Sequence, residues 1–480
     1  MFLFYNPPVR ARTRLSAVRL SLLSTLLIAS LLVTAAPAPA AEESFDIAAE
    51  NSLPGTPGWQ LRPSQFTRDT EAYLNRASAL AGETVNLYAR CKADTFVVTA
   101  FRLGFYQGAG ARRVFKSEPI PCERQVGRDT DEDTGLVRAT WQASLAIDTT
   151  DWPEGAYLFK VVASDKSGMY INFVMRPPST ADRVVFVSAH MTFQAYNSWG
   201  GANTYRGPGG FSTRARAVSF DRPQSKTLGA SKFLGYELPL IRRAEALGIP
   251  ISYLADSDIA TDPSIIDGAT TLVFGGHIEY WTQAERDAIM AERDNGTNLI
   301  FFGANTAYWR ARLTKSPLGS GRTLTVYKSA ASDPDKKQPT ILFRSTGQAE
   351  SDLTGGTYRC FPAVGDFRVT NASHWIFAGT GARNGSTYDS ILGPEVDGAS
   401  ASTPNLKVIA SSFTRCGKKT KTYASFSIMT HASGARTVNV GTMGWALRGF
   451  KATTSQRTRD FVQQVTDNLL EAATQPKLGH

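Results

Sequence analysis

The side chains best suited to chemistry fall in three short segments of this 480-residue chain. His277 and Glu279 are two residues apart, so in extended backbone both side chains point the same way. The preceding Gly275-Gly276 pair lets the chain bend and lets another group approach the backbone closely. Tyr196 opens an aromatic and glycine-rich run, and Asn305 follows another apolar segment. These are unusual polar side chains for the ends of predicted strands, so the three segments are the candidates for a functional site.

Buried strands must bring these segments together. Four apolar runs predict strands that are buried on both faces, at 183–188, 249–254, 270–274 and 298–302. Predicted helices at 231–247 and 282–295 alternate with them, and Thr282 with Glu285 forms a capping box for the second. This alternation predicts right-handed βαβ units and a parallel sheet. Sites in open α/β sheets form beyond the carboxyl ends of the strands, so residues 190–196, 277–279 and 305 should share one edge.

Each of these residues also has a structural interpretation. A single His-x-Glu pair is as typical of a structural hydrogen bond as of a functional site, and Tyr196 could be an aromatic packed under a loop. Asn305 could cap a helix over 306–312. Tyr236, at helical spacing within 233–238, is by default a core aromatic. The convergence of several such residues on one predicted edge favours the functional interpretation.

The hydrophobic pattern divides the chain into two folded regions. Residues 52–176 carry short alternating segments separated by Gly, Asp and Pro turns, which predicts a β-sandwich of immunoglobulin-like type. A proline-containing linker follows at 176–180. Residues 181–475 form the predicted α/β domain, in which 314–425 is irregular, 426–441 indicates a hairpin and 454–472 a closing helix. The predicted fold is therefore an all-β sandwich followed by a parallel-sheet α/β domain.

Residues 1–40 have the pattern of a targeting segment. Four arginines precede an apolar run at 20–36 and an Ala-Pro-Ala sequence, which predicts a signal peptide cleaved near Ala40. The apolar run is shorter than the roughly 20 residues that a membrane span needs. No later segment is long and apolar enough to cross a bilayer. We therefore expect a secreted, extracytoplasmic protein without a transmembrane segment.

Four cysteines follow, at Cys91, Cys122, Cys360 and Cys416. None forms a Cys-x-x-Cys pair, which excludes zinc-ribbon and thioredoxin-like sites. An even number of cysteines in an oxidising compartment favours disulfides. Three pairings are open, and pairing Cys91 with Cys122 and Cys360 with Cys416 keeps each bridge within one predicted domain.

Charge and missing motifs exclude several functions. The formal net charge is +10, and removing the four cations of the first forty residues, which hold no acid, leaves +6. Runs of Lys and Arg are short, as at 418–421, so nucleic-acid binding is not expected. The sequence has no Gly-x-Ser-x-Gly elbow, no His-Glu-x-x-His, no P-loop and no Ser-x-x-Lys motif. Enzymes that depend on those motifs are excluded.

Five segments resemble the N,N-dimethylformamidase large (beta) subunit family, in particular its C-terminal α/β domain. They are AYNSWGG at 195–201, YELPLIR at 236–242, GGHIEYW at 275–281, FGANTAYWR at 302–310 and VNVGTMGWA at 438–446. In the front region, FRLGFYQGAG at 101–110 is similar to the sandwich that precedes this domain in such proteins. The resemblance covers most of the mature chain. It implies a flavodoxin-like sheet resembling class I glutamine amidotransferases, without their cysteine nucleophile.

The resemblance also implies a mononuclear iron amidohydrolase whose metal is held by two tyrosines and a glutamate. The implied ligands are Tyr196, Tyr236 and Glu279. Tyr253 and Tyr280 stay open as alternatives to Tyr236, and His277 and Asn305 would line the substrate side. Phenolate and carboxylate are hard oxygen donors that suit Fe(III).

The leading hypothesis is a secreted, metal-dependent hydrolase of an amide or related C–N bond, acting on a small-molecule or surface amide substrate. The alternative is a non-catalytic cell-envelope or glycan-binding protein, in which the sandwich binds surface polymer. A third hypothesis, glycan hydrolysis by Glu237, Asp256 and Glu279, depends only on the availability of acids. A second copy of the chain, and a partner in place of the dimethylformamidase small subunit, stay open as partners.

Overall fold

The front region of the molecule is made of short strands in two facing sheets. The computed structural model describes residues 45–418 and 420–479, so the predicted signal peptide lies outside the described residues. A short helix, α1 (Ile47–Ser52), comes first. The strands of this region are β1 (Thr70–Leu74), β2 (Ser78–Ala79), β3 (Thr84–Cys91), β4 (Thr95–Leu103), β5 (Ala111–Lys116), β6 (Ile120–Pro121), β7 (Arg128–Asp131), β8 (Leu136–Ala139), β9 (Leu145–Asp148), β10 (Gly155–Ala163) and β11 (Gly168–Met175).

The two sheets of the front region share one apolar core. One sheet has the order β1-β3-β9, and the other has the order β2-β11-β10-β4-β5 with β6 paired to β4. Val85 and Leu87 of the first sheet and Val98 and Phe159 of the second belong to one buried cluster. Because alternate residues of each strand face this cluster, the period-two pattern in the sequence produces a sandwich of β-sheets.

The second region is built around a large central sheet. Its strands are β12 (Val184–Ser188), β13 (Ala217–Ser219), β14 (Ile251–Ala255), β15 (Thr271–Phe274), β16 (Tyr280–Thr282), β17 (Asn298–Phe301), β18 (Trp309–Ser316), β19 (Gly319–Thr325), β20 (Gly356–Cys360), β21 (Ala363–Val364), β22 (Phe367–Arg368), β23 (Thr387–Tyr388), β24 (Val396–Ala399), β25 (Leu406–Cys416), β26 (Thr420–Thr430) and β27 (Arg436–Asn439). The central sheet has the order β14-β12-β15-β17-β27-β26-β25-β21. A smaller sheet has the order β13-β19-β18-β16.

The central sheet is mixed rather than wholly parallel. The neighbours from β14 to β27 pair parallel, as the alternation of apolar runs and helices predicts. In contrast, β27, β26, β25 and β21 pair antiparallel. Short turns join β25, β26 and β27, and a short turn can connect only antiparallel neighbours. The molecule is therefore β-rich, with several sheets around one mixed sheet.

Helices connect the strands of this region. They are α2 (His190–Ala195), α3 (Phe233–Tyr236), α4 (Leu238–Ala246), α5 (Asp256–Thr261), α6 (Gln283–Asn295), α7 (Ser351–Thr354), α8 (Gly444–Gly449) and α9 (Gln456–Ala473). Helix α6 begins at the predicted capping box, where Thr282 Oγ1 accepts a hydrogen bond from the Glu285 backbone N–H at 3.1 Å. It ends at Gly296, which has a positive φ of 126°. The sequence thus predicts both ends of this helix correctly.

Two helical expectations differ from the structure. The segment predicted as one helix at 231–247 is two helices that meet at Glu237, because Glu237 has a non-helical backbone and Pro239 lies in the first turn of α4. The segment at 306–312 contains the start of β18 rather than a helix. Asn305 and Ala307 both have positive φ angles, near 60° and 49°, which a right-handed helix does not allow. Residues 190–195, beyond the first predicted strand, form helix α2.

A fully buried ion pair joins the front region to the central sheet. Arg102 of β4 donates to Glu245 of α4, with Nη2–Oε1 at 2.8 Å and Nη1–Oε2 at 3.0 Å. Tyr253 of β14 donates to the same carboxylate at 2.8 Å, and Asn51 of α1 donates at 2.5 Å. The residues from Phe45 onward form one compact unit. The division into domains at 52–176 and 181–475 stays a prediction.

Two disulfides are present, one in each region. Cys91 is bonded to Cys122 and Cys360 to Cys416, the pairing that keeps each bridge within one predicted domain. No cysteine in the described chain is left unpaired. Among the helices at 45–418 and 420–479, none has the length and apolar character needed to cross a membrane.

Candidate functional site

The candidate site lies where three parallel strands end. Helix α2 follows β12 and ends at Tyr196, whose backbone N–H donates to the Thr192 carbonyl at 3.3 Å. Thr192 also fixes the segment after β15, because its Oγ1 accepts hydrogen bonds from the backbone N–H groups of Glu279 at 2.9 Å and Tyr280 at 3.2 Å. Thr192 on the short helix α2 therefore places the Glu279 carboxylate beside the Tyr196 phenol.

The Glu279 carboxylate is the centre of the site. The Tyr196 hydroxyl donates to Glu279 Oε2 at 2.7 Å, and the Tyr205 hydroxyl donates to Oε1. His277 Nε2 lies 3.4 Å from Oε2. Glu279 is completely buried and His277 is 2% exposed. The sequence therefore correctly predicts that His277, Glu279 and Tyr196 converge, although they come from segments that are 83 residues apart.

Gly275 and Gly276 allow Tyr236 to lie close to His277. A Cβ at Gly276 would lie 2.6 Å from the Tyr236 ring, and a Cβ at Gly275 would lie 2.8 Å from Glu237. The Tyr236 ring centroid is 6.0 Å from that of His277. Only glycine accommodates this contact, so the Gly275-Gly276 pair serves close packing against the Tyr236 helix end.

Burial and nearby charges fix the protonation of the acid and the imidazole. Burial alone would raise the pKa of Glu279, but contacts from His277, Lys328 and the Tyr205 hydroxyl outweigh it and lower the pKa to about 2. Burial, aided by the charge of Lys232, lowers the pKa of His277 to about 4. At neutral pH the site therefore holds a carboxylate beside a neutral imidazole. Neither ring nitrogen of His277 has a hydrogen-bond partner among the described residues.

Two lysines lie over the aromatic rings of the site. Lys232 Nζ is 4.1 Å from the ring centroid of Tyr196 and 5.5 Å from that of Tyr236. Lys328 Nζ is 3.1 Å from the ring centroid of Tyr205. Burial lowers the pKa of both lysines, although the charge of Glu279 opposes the effect. Two buried lysines therefore flank the Glu279 carboxylate.

Asn305 binds a second acid rather than capping a helix. Its side-chain Nδ2 donates to Glu395 Oε2 at 2.7 Å, and its backbone N–H donates to Asp397 Oδ1 at 2.9 Å. Its Oδ1 has no partner in the described part of the chain. Burial and then repulsion from Glu279 raise the pKa of Glu395 to about 8. The site therefore contains a second carboxyl group that titrates near neutral pH.

Sequence reasoning missed four members of this cluster: Tyr205, Lys232, Lys328 and Glu395. Tyr205 lies in the loop after α2, and Glu395 lies in the irregular segment at 314–425, where no strand-end argument applies. The only available signal for Tyr205 is its position nine residues after Tyr196, within the same polar loop. Single lysines and glutamates in irregular segments carry no pattern that separates them from surface residues.

The structure separates the alternatives for the third tyrosine. Tyr253 is bound to Glu245 in the buried Arg102 cluster and is not part of the site. Tyr280 borders the site, with its ring centroid 6.4 Å from that of Tyr196, but its hydroxyl accepts a hydrogen bond from Lys328 at 2.6 Å. Glu237 and Asp256, considered for glycan hydrolysis, accept hydrogen bonds from the backbone at Ala189 and Met191. These two acids therefore fix the start of α2.

The donor set fits a hard metal ion. In the described ranges, no group of three His, Cys, Asp or Glu side chains is placed to hold a metal. The set at Glu279 is of another type, with phenol oxygens from Tyr196 and Tyr205 already in contact with the carboxylate. Burial raises the pKa of Tyr196 well above its ordinary value, and a trivalent cation would reverse that shift. Oxygen donors of this kind suit Fe(III).

The chain has a phenol–carboxylate contact beyond the ends of parallel strands, and its sequence matches a family profile. The sequence profile described as N,N-dimethylformamidase beta subunit-like, C-terminal, matches residues 97–450. The chain therefore belongs to the N,N-dimethylformamidase beta subunit-like family.

Other comparisons add nothing to this assignment. No curated protein gives a significant match. Among solved structures, the chain is similar to a Paenibacillus sp. cycloisomaltooligosaccharide glucanotransferase complexed with cycloisomaltoheptaose, at 8% identity and a TM-score of 0.17. The match covers 63% of this chain and 62% of that chain, which is less than two thirds of its length. A likeness of this size carries no argument.

Proposed function

We propose that this protein hydrolyses an amide or a related C–N bond at Glu279. The observation that carries this proposal is the direct contact of Tyr196 with the buried Glu279 carboxylate, beside a histidine whose Nδ1 has no hydrogen-bond partner among the described residues and whose Nε2 has only the 3.4 Å contact with Glu279. A buried polar group without a partner is costly, so a functional ligand is the physical explanation for an unsatisfied imidazole. Membership of the family supports the same reaction class.

The residues divide into proton carriers and groups that orient the substrate. His277 is neutral at pH 7, so it can accept a proton and pass it to a leaving amine. Glu395, with a pKa of about 8, holds a proton at neutral pH and lies in contact with Asn305. The Asn305 Oδ1 can accept a hydrogen bond from an amide N–H or from water. The site thus offers both a base and an acid.

We propose that iron is the cofactor, with Tyr196, Tyr236 and Glu279 as its ligands. When bound, the ion would supply Lewis acidity toward an amide carbonyl and toward water. Tyr205 competes with Tyr236 for the third position, because its hydroxyl already contacts Glu279. The Tyr236 ring centroid lies 6.0 Å from that of His277, so Tyr236 borders the same cluster.

Three further features belong to the proposal. We propose that the sandwich is immunoglobulin-like and that the five parallel strands correspond to a glutamine-amidotransferase-like sheet. Secretion is also proposed, and both disulfides agree with an oxidising compartment. The substrate is proposed to be a small-molecule or surface amide.

The test is amine release from a panel of N-substituted formamides, acetamides and short peptides. Protein from iron-replete cells is compared with Glu279→Gln, which keeps the shape of the side chain but removes its charge. Glu83→Gln, on the surface of the sandwich, is the matched control. We expect at least one amide to be cleaved by the wild type and by Glu83→Gln, but not by Glu279→Gln.

Two results would show that the proposal is wrong. One is the absence of cleavage of every amide by iron-loaded wild-type protein. The other is equal cleavage by wild type and Glu279→Gln, because a reaction that does not need this carboxylate takes place elsewhere.

A further inference from the structure

The long hairpin of β25 and β26 has an unusual outer face at its far end. Buried and exposed residues alternate along β25 from Ala410 to Cys416, so Phe413 and Arg415 point outward together. The register places Phe413 opposite Tyr423 and Arg415 opposite Lys421. An aromatic pair and a cationic pair therefore lie next to each other on one exposed surface. We call these four residues the hairpin face.

Apolar exposure is concentrated around the hairpin face. Eight large hydrophobic side chains are exposed in the described residues, and four of them lie at this end of the sheet. They are Phe361 at 64%, Val364 at 53%, Phe413 at 47% and Tyr423 at 58%. Val364 on the edge strand β21 pairs with Arg415, so it extends the hairpin face by one strand. A group of exposed apolar side chains marks an interaction surface more reliably than scattered ones.

The two cations of the hairpin face repel each other across the strand pair. Arg415 and Lys421 are directly opposed cations, and like charges across a strand pair are destabilising. Neither they nor Lys418 forms an ion pair with any acid in the described residues. Lys421 Nζ lies 6.0 Å from the Phe413 ring centroid, so cation and ring are presented together. An anionic partner would offset this repulsion.

The Cys360–Cys416 disulfide holds this end of the hairpin in place. Cys416 is the last residue of β25, and Cys360 precedes the edge strand β21. The bridge therefore ties the edge strand to the hairpin at the level of the exposed residues. A surface fixed in this way loses little conformational freedom when it binds.

We propose that the hairpin face docks this protein on an anionic lipid surface. Aromatic side chains favour the interface of a bilayer, and neighbouring Lys and Arg are attracted to anionic headgroups. A second copy of the chain is a poorer occupant, because two-fold pairing of the hairpin face would bring like charges together. Docking would hold the protein close to a membrane.

Vesicle binding tests the proposal. The full chain, as processed by the producing cell, is sedimented with vesicles of phosphatidylglycerol mixed with phosphatidylcholine, or of phosphatidylcholine alone. We expect binding to the anionic vesicles only, with a loss of at least about tenfold in 0.5 M salt because surface charge is screened. Phe413→Ser/Tyr423→Ser and Arg415→Gln/Lys421→Gln should each lower the bound fraction about tenfold.

Controls make the result specific to the hairpin face. Phe211→Ser/Val126→Ser removes two exposed apolar side chains elsewhere and should bind as the wild type does. Thermal unfolding verifies that all variants are folded, and their shared N-terminus cancels any contribution of residues 1–40. Wild type that ignores anionic vesicles, or hairpin variants that bind equally well, would overturn the proposal. So would binding to isolated cell-wall polysaccharide instead of vesicles, or a dimer that only the hairpin variants disrupt.

Discussion

Two buried clusters in this molecule, one around Glu245 and one around Glu279, contain the same residue types but differ in their contacts. In one, Glu245 accepts hydrogen bonds from Arg102, Tyr253 and Asn51, and both side chains of the ion pair are fully buried. In the other, Glu279 accepts hydrogen bonds from Tyr196 and Tyr205. Each cluster places a glutamate among tyrosines and cations in the interior. The two clusters differ in the groups that their cations contact.

The cations of the Glu245 cluster bind the carboxylate, whereas those near Glu279 face aromatic rings. Arg102 donates to both oxygens of Glu245, so the charge is neutralised within the protein. Lys232 and Lys328 lie over the tyrosine rings instead. The imidazole of His277 likewise has no hydrogen-bond partner in the described residues. A buried cluster in which every polar group has a hydrogen-bond partner stabilises the fold. A buried cluster in which polar groups lack such partners is typical of a site that binds a ligand.

The largest expected effect on activity comes from Glu279→Gln. We expect amide hydrolysis to fall by about 10⁴-fold, the upper range for a side chain that acts at the reacting group. The free energy of unfolding should change less than in Arg102→Met, because no buried ion pair is broken. Initial rates and urea titrations on the same preparations measure both. Equal destabilisation of the two variants would remove the distinction between the clusters.

Arg102→Met should have the largest effect on stability. Removing one partner of a buried ion pair leaves Glu245 charged without compensation, which costs about 3–5 kcal/mol. The folded fraction should still cleave the substrate at the wild-type rate per active molecule. Chemical unfolding and active-site titration test this. A stable Arg102→Met protein that has lost its activity would assign the Arg102 cluster to catalysis.

His277→Gln should lower kcat about 10²-fold or more, the usual effect of losing a proton carrier. Because the pKa of His277 is about 4 and its neutral form is the base, wild-type activity should rise with pH through about 4. The variant should lack this acid limb. His431→Gln, in a separate part of the fold, is the control and should keep the limb. An unchanged limb in His277→Gln would show that another group is the base.

Asn305→Ala should have a smaller effect that is visible mainly in the pH profile. The protonated form of Glu395 is the acid, so wild-type activity should fall as pH rises through about 8. The hydrogen bond from Asn305 favours the charged form and lowers that pKa, so its loss should move the alkaline limb upward by about one pH unit. Asn172→Ala should leave the limb in place. A downward shift would contradict the assignment.

Local patterns predicted the parts of the site that lie at the ends of regular strands. The apolar runs at β12, β15 and β17, with the spacing of His277 and Glu279, suffice to bring Tyr196 to the carboxylate. The capping box at Thr282 and Glu285 likewise fixes the start of α6 from sequence alone. These features depend on contacts between residues that are close in sequence, or on the regular alternation of strands and helices. A sequence pattern can therefore predict them.

The remainder of the site depends on long-range contacts that leave no local pattern. Asn305 was open to interpretation as a helix cap, but its backbone N–H is bound by Asp397, 92 residues away, and its φ is positive. Glu395 and Lys328 reach the site from the irregular segment at 314–425. In the antiparallel half of the central sheet, the hairpin predicted at 426–441 is present as β26 and β27, but β25 and β21 were missed because they lie in the irregular segment at 314–425.

Iron content, with the visible spectrum, is the most direct test of the central claim that Tyr196 and Glu279 form one metal site. Wild type, Tyr196→Phe, Glu279→Gln and the matched control Tyr253→Phe are purified in parallel from iron-replete cells. We expect about one iron per chain and a tyrosinate-to-iron absorption band in the wild type and in Tyr253→Phe, and neither in the other two. Equal iron in all four proteins would contradict the account.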